Sequence, residues 1–219
     1  MQHPPRSRHH SITNEQIRII KRLDPHNLMH AMFQITMYLG LRPKEAIGLT
    51  WSKVYLSSRY VRISQQLFFI DHSDRYELRP STKTHRKRTL PLGPDAIQVF
   101  LTARIQQEKM KKASCGEWNN PLGLIFTHCD GRPFSEGEAE EELHRLMAGT
   151  SDPEIGFYDL RHTASTAAYR ETSDISEVQK MMGHTNPNVT RNYYIDHDSR
   201  GKRTVAAAMN SYTEGSLSK

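Results

Sequence analysis

The chain has 219 residues, room for one large domain or one domain with a small satellite. Only 36% of residues are apolar, no apolar run approaches the roughly 18 residues of a membrane span, no signal peptide is evident, and two cysteines, Cys115 and Cys129, exclude a disulfide framework and fit a reducing compartment. Lys plus Arg number 30 against 24 Asp plus Glu, a net +6. The excess gathers at Lys83, His85, Arg86, Lys87 and Arg88 and again at Arg200, Lys202 and Arg203, which suits a phosphate backbone or simply a basic surface.

Residues 1–12 carry Pro, Arg and His without an apolar period and read as a flexible leader or linker. Thr13-Asn14-Glu15-Gln16 is a capping box, with Ile12 and Ile17 spaced as a hydrophobic staple, and it opens a helix to about Arg22. A second helix is expected over His26–Leu39, ended by Gly40. Pro43 sits in the first turn of a third, where its missing N–H costs nothing. Tyr60–Ile70 is rich in β-branched and aromatic residues and reads as one strand. Glu77–Pro80 and Arg88–Leu92 read as two more, a hairpin around the basic block, which completes a three-stranded sheet.

Pro94 opens a helix to about Met110, Ser114–Leu122 is loop, and Leu124-Ile125-Phe126 is a short apolar patch. Ser135-Glu136-Gly137-Glu138 caps a helix to Met147. Helices are further expected over Asp159–Glu171, from the Asp174 cap to Gly183, over Asn188–Tyr194 and over Ser199–Tyr212. The sum is an α+β fold: a mostly helical domain with a small antiparallel three-stranded sheet.

No HExxH, CxxC, P-loop or GxGxxG is present, and the carboxylates do not gather into a magnesium site, so no metal or other cofactor is expected. What stands out are polar residues at helix starts and ends. Gly40-Leu41-Arg42-Pro43-Lys44-Glu45 puts Arg42 at a helix start, and Glu45 is placed to pair with it or cap the helix. Tyr158-Asp159-Leu160-Arg161-His162-Thr163 puts Arg161 in the first turn of another, where small Ala164 and Ala167 would let the helix pack closely and hold the arginine inward. Lys83 lies between strands, and Gly183-His184 precedes Tyr193 by nine and ten residues counted from His184 and Gly183. Taken singly, Arg42 and Arg161 fit solvated helix starts, Lys83 a solubility residue, His184 a C-cap, and His162 a structural neighbour of Arg161.

Taken in order, the set resembles the catalytic domain of the tyrosine recombinases, the phage integrase family. The first arginine of that family lies in a G-L-R-x-x-E phrase, as Arg42 does. Its lysine precedes an L-P-L proline by eight residues, as Lys83 precedes Pro91. Its second arginine lies in a D-L-R-H-T-like phrase, as Arg161 does, and a G-H pair precedes a tyrosine, as Gly183-His184 precedes Tyr193. Met182 replaces the family's usual leucine, and Tyr158 stands where the family usually has a histidine three residues before the second arginine. A phenol there can donate a hydrogen bond but cannot act as an imidazolium.

The resemblance covers residues 13–197 and implies a DNA strand transferase of a phage or mobile element. Arg42 and Arg161 would hold the scissile phosphate, Tyr193 would attack it, Lys83 would protonate the leaving oxygen, and His184 would steer phosphate or tyrosine. Tyr158, Glu45 and His162 would support them, while Lys44, Arg86, Lys87, Arg88 and Arg191 would contact double-stranded DNA. It further implies a cytoplasmic, nucleoid-associated enzyme assembling on DNA as a tetrameric synapse, with room for an accessory DNA-bending protein. Residues 198–219 would form a tail helix docking on a neighbouring protomer or folding back. The family's N-terminal DNA-gripping domain has no counterpart in this sequence, so an isolated catalytic domain or a fragment of a longer integrase is expected. Open alternatives are a DNA-binding module of the same fold that has lost chemistry, a type IB topoisomerase-like relaxing enzyme, and a helical protein-interaction domain.

Overall fold

The computed structural model describes residues 12–70, 75–80, 87–114 and 116–183. Helix α1 spans Asn14–Arg22, and both arms of its capping box form, Gln16 N to Thr13 Oγ1 at 3.3 Å and Thr13 N to Gln16 Oε1 at 2.8 Å. Ile12, the last residue of the expected leader, belongs to the core instead: it is buried, and its N–H donates to Thr163 Oγ1 at 3.0 Å. Helix α2, Leu28–Leu39, begins two residues later than expected because Asn27, not His26, caps it through its side chain. Its apolar residues are buried nearly all round, and it packs against α4 (Pro94–Ala113) and α6 (Phe157–Thr172) at the centre of the molecule.

Gly40 ends α2 in the left-handed region, at φ 64°, which glycine adopts without strain. It also allows a close approach, because a Cβ at this position would lie 2.8 Å from Met182 Sδ. Helix α3 is short, Pro43–Ile47, with Arg42 as its N-cap residue. After α3 come a single 3-10 turn, Trp51–Lys53, and strand β1, Val54–Tyr55.

The strand expected over Tyr60–Ile70 is two strands in two different sheets. Strand β2, Tyr60–Ile63, lies between β1 and β5 (Arg88–Pro91), and the three form the antiparallel three-stranded sheet. Strand β3, Gln65–Phe69, leaves that sheet and pairs with β4, Tyr76–Pro80. The expected hairpin between the 77–80 and 88–92 segments therefore does not form, since each pairs elsewhere. The split occurs at Ser64. Gln65 Nε2 is drawn to Gly48 O at 3.0 Å and Thr50 Oγ1 at 3.1 Å, and β3 swings onto α3. Gly48 permits the contact, because a Cβ there would meet the Leu67 backbone N at 2.6 Å.

Leu124, Ile125 and Phe126 are fully buried, and Leu124 bridges Thr50. Gln107 of α4, itself buried, donates to the carbonyls of Leu124 and Ile125 at 2.8 and 3.0 Å and accepts from Trp51 Nε1 at 2.7 Å. A buried amide is tolerated because both its ends are used. Helix α5, Glu136–Met147, is capped by Ser135 as expected and packs on α3 and α6. Helix α7, Ile175–Met182, is capped by Asp174 and closed by Gly183 at φ 62°. It rests on α6 and β5. Among the described residues no helix is long and apolar enough to cross a membrane.

Candidate active site

The site is built around one carboxylate. Glu45 is the third residue of α3, so its side chain turns back to the helix start and accepts the Arg42 backbone N–H at 2.9 Å. This is one of the N–H groups a helix leaves unpaired, and a carboxylate also suits the positive end of the helix dipole. The same carboxylate receives three guanidinium groups. Arg42 Nη1 lies 2.9 Å from Oε1. Arg88, at the start of β5, forks onto both oxygens at 2.9 and 2.6 Å. Arg161 is expected in a first turn, but α6 starts at Phe157, so it is the fifth residue; its Nη1 approaches Oε2 at 3.9 Å.

The Glu45 side chain is 0% exposed. Burial pushes its carboxyl up, but the hydrogen bonds and charge of Arg88, with the Arg42 N–H and charge, outweigh it and bring the group down to about 2. Glu45 is therefore ionised at neutral pH. Burial and the nearby Arg42 charge pull the Arg161 guanidinium down to about 9, which leaves it cationic at neutral pH.

Two of these arginines also hold the end of α7. Arg161 donates to the carbonyls of Gly40 and Met182. Arg42 Nη2 donates to Gly183 O at 3.2 Å. The last carbonyls of a helix lack intrahelical partners and carry the negative end of its dipole, so guanidinium donors satisfy them well. The Arg161 side chain is 5% exposed, whereas that of Arg42 is 21% exposed, so the pair consists of one deep anchor and one group open to a ligand. Small residues do let α6 approach, but Ala164 is the one that is buried against Gly40, and Ala167 faces outward.

Other expected residues fall in different surroundings. Tyr158 is 42% exposed at the start of α6. His162 is half-buried and accepts Ser165 Oγ on its backbone carbonyl at 2.8 Å. Lys44 lies on the surface, its Nζ 4.6 Å from the Phe68 ring centroid and 3.6 Å from Glu136 Oε1. Lys87, which precedes Arg88 in sequence, is exposed. Lys83, Arg86, His184, Arg191 and Tyr193 lie outside the described residues, as do the helices expected over 188–194 and 199–212.

Arg88 is the residue whose surroundings the sequence reading missed. It was expected among the DNA contacts of an open basic block, yet its side chain is 8% exposed and committed to Glu45. A signal was available: side chains on a strand alternate, so Arg88 shares a face with Leu90, which is buried.

The chain matches the model of the Phage integrase family over residues 12–200. It is 23% identical over 210 residues to a tyrosine recombinase XerC-like protein of Caldanaerobacter subterraneus, covering 91% of this chain and 54% of the relative. It is 27% identical over 175 residues to the tyrosine recombinase XerD of Halalkalibacterium halodurans, covering 78% and 50%. The chain thus spans about half the length of the curated relatives it matches. Its fold is similar to that of the Tn1549 transposon integrase in complex with transposon right end DNA, with a TM-score of 0.75 at 17% identity over 94% of this chain and 67% of that one. It is also similar to the XerH site-specific recombinase bound to a palindromic difH substrate, with a TM-score of 0.65 at 18% identity over 91% and 52%. A family model that matches residues 12–200 runs through most of the chain and leaves one conclusion: the chain belongs to the phage integrase family.

Proposed function

We propose that this chain carries out strand transfer in a site-specific DNA recombinase of a phage or other mobile element, through a covalent 3′-phosphotyrosine. The observation that carries the reading is the convergence of Arg42 and Arg161, from helices far apart in sequence, on one buried carboxylate and on the adjoining end of α7. Each guanidinium has five N–H donors, and these protein contacts engage only some of them. A phosphodiester builds charge on its non-bridging oxygens when attacked, and arginine forks match that geometry without losing their own charge. Recombinases bound to DNA among the fold neighbours are in keeping with this reading.

The Tyr193 phenol passes its proton to water as its oxygen attacks phosphorus. The bond from phosphorus to the 5′ oxygen breaks, that oxygen takes one proton from Lys83, and Lys83 regains one from the water that received the phenol's proton, so protons balance across the step. His184 hydrogen-bonds the phosphate, and Tyr158 donates to a non-bridging oxygen. A 5′-hydroxyl of a second strand reverses the sequence, releasing tyrosine without ATP. Lys44, Lys87, Arg86 and Arg191 contact the DNA backbone, residues 198–219 dock on a neighbouring protomer, and assembly on DNA is tetrameric.

A pool of nicked duplexes with randomised flanks tests the reading, because a short 5′ product diffuses away and traps the adduct. The full chain is expected to yield an SDS-resistant protein–DNA band that Tyr193→Phe abolishes and Tyr194→Phe retains. Absence of the band from the unmodified chain, or its persistence in Tyr193→Phe, refutes the assignment.

A further inference from the structure

Arg88 opens β5 opposite Ile63 of β2, on the strand face shared with buried Leu90. Its guanidinium grips both Glu45 oxygens in a parallel fork at 2.9 and 2.6 Å. On the other side it packs beneath Gly183, where an added Cβ would lie 3.4 Å from Arg88 Cδ and Nη1. The side chain thus fills the space between the carboxylate and the end of α7. Arg88 Nε is buried and has no hydrogen-bond partner among the described residues. A buried donor left unpaired opposes folding, and a buried charge pair is often no better for stability than apolar packing of the same volume. Arg88 is thus a poor choice if stability alone set this position.

Its effect on its neighbours is specific. Glu45 meets the Arg42 N–H and faces Arg161 through Oε2, and meets Arg42 Nη1 through Oε1. Arg88 touches both oxygens, so it fixes the plane of the carboxylate on which the other two arginines rest. It also supplies one full positive charge against the one negative charge of Glu45. The Arg42–Arg161 pair then keeps its positive field for an anion, rather than losing half of it to the carboxylate.

We infer that Arg88 is a positioning residue for strand transfer: through Glu45 it sets the orientation and the free charge of the Arg42–Arg161 pair, and it does not itself contact DNA. This rests on the strand-transfer reading above. It predicts a defect in rate and not in backbone binding.

The test compares the full chain with Arg88→Met, Arg88→Lys and the double variant Glu45→Gln/Arg88→Met. Adduct formation on the nicked-duplex pool is followed under single turnover at saturating protein. Affinity for an arbitrary duplex of about 30 base pairs is measured across a salt series, where each lost phosphate contact lowers the log–log slope by about 0.9. Arg88→Met is expected to slow adduct formation on the order of a hundredfold, comparable to losing a preorganised donor, with an unchanged salt slope. Arg88→Lys is expected to recover part of the rate, and the double variant to be no slower than Arg88→Met, because both act through the same carboxylate. A salt slope reduced by about one contact, or adduct formed by Arg88→Met at the unmodified rate, overturns the inference. Should Arg88→Met fail to melt cooperatively, Arg88→Lys decides: a rate at least about tenfold lower with unchanged slope supports it, and either alternative overturns it. No adduct from the unmodified chain would refute the strand-transfer reading and this inference together, whereas normal adduct with an unaffected Arg88→Met refutes this inference alone.

Discussion

Replacing Glu45 by Gln keeps the shape of the side chain and removes its charge. Three guanidinium groups would then surround a neutral amide. The carboxyl falls from 4.5 to about 2 in the folded chain, and at about 1.4 kcal/mol per pH unit that difference is worth about 3 kcal/mol of stability. A buried pair broken on one side costs about 3–5 kcal/mol, which agrees in scale. For a domain of this size, about 3 kcal/mol corresponds to a fall in Tm of roughly 6–12 °C.

The sign of the pH dependence follows from the depressed value. The stabilisation is fully present above 4.5 and is lost as pH falls towards about 2, where the folded carboxyl also takes up its proton. Urea unfolding of the unmodified chain and Glu45→Gln, at intervals from pH 7 to pH 2.5, checks this. The gap between them is expected to be about 3 kcal/mol at pH 7, to narrow below pH 4.5, and to approach zero near pH 2. A gap below about 1 kcal/mol at pH 7, or one that stays constant with pH, would refute the claim that this carboxylate is the hub of the site.

Gly40→Ala is expected to cost about 1–2 kcal/mol for its left-handed backbone, plus the displacement of Met182 Sδ from 2.8 Å, and adding Met182→Ala should remove the second part in thermal melts. Arg161→Lys is expected to lower adduct yield on the order of a hundredfold, because one ammonium cannot span the carbonyls of Gly40 and Met182; near-normal yield would argue that charge alone suffices. Gln107→Leu leaves the carbonyls of Leu124 and Ile125 and the Trp51 indole N–H without their amide partner, and urea unfolding should show a loss of at least about 2 kcal/mol.

Three of the helix starts were legible because their chemistry is local. Thr13, Ser135 and Asp174 each meet N–H groups within three residues, so a four-residue phrase contains the whole interaction. The pairing of Arg42 with Glu45 was legible for the same reason, lying within one turn of α3. The strands were legible only as strands. Nothing between Tyr60 and Ile70 marks where one sheet ends and another begins, because β-branched and aromatic residues suit either, and the break depends on Gly48 and Thr50 drawing Gln65 across.

The sequence by itself determined most of the helices among the described residues, the caps at Thr13, Ser135 and Asp174, and the order of the arginine phrases, because each of these is a property of neighbours along the chain. Only the tertiary structure decided which strands pair, that Arg88 turns inward from a basic block, and that three arginines converge on Glu45 while two of them also reach the end of α7. Those outcomes depend on groups brought together across many residues, and no local preference specifies which of several cations reaches a buried carboxylate until packing has removed the water around it.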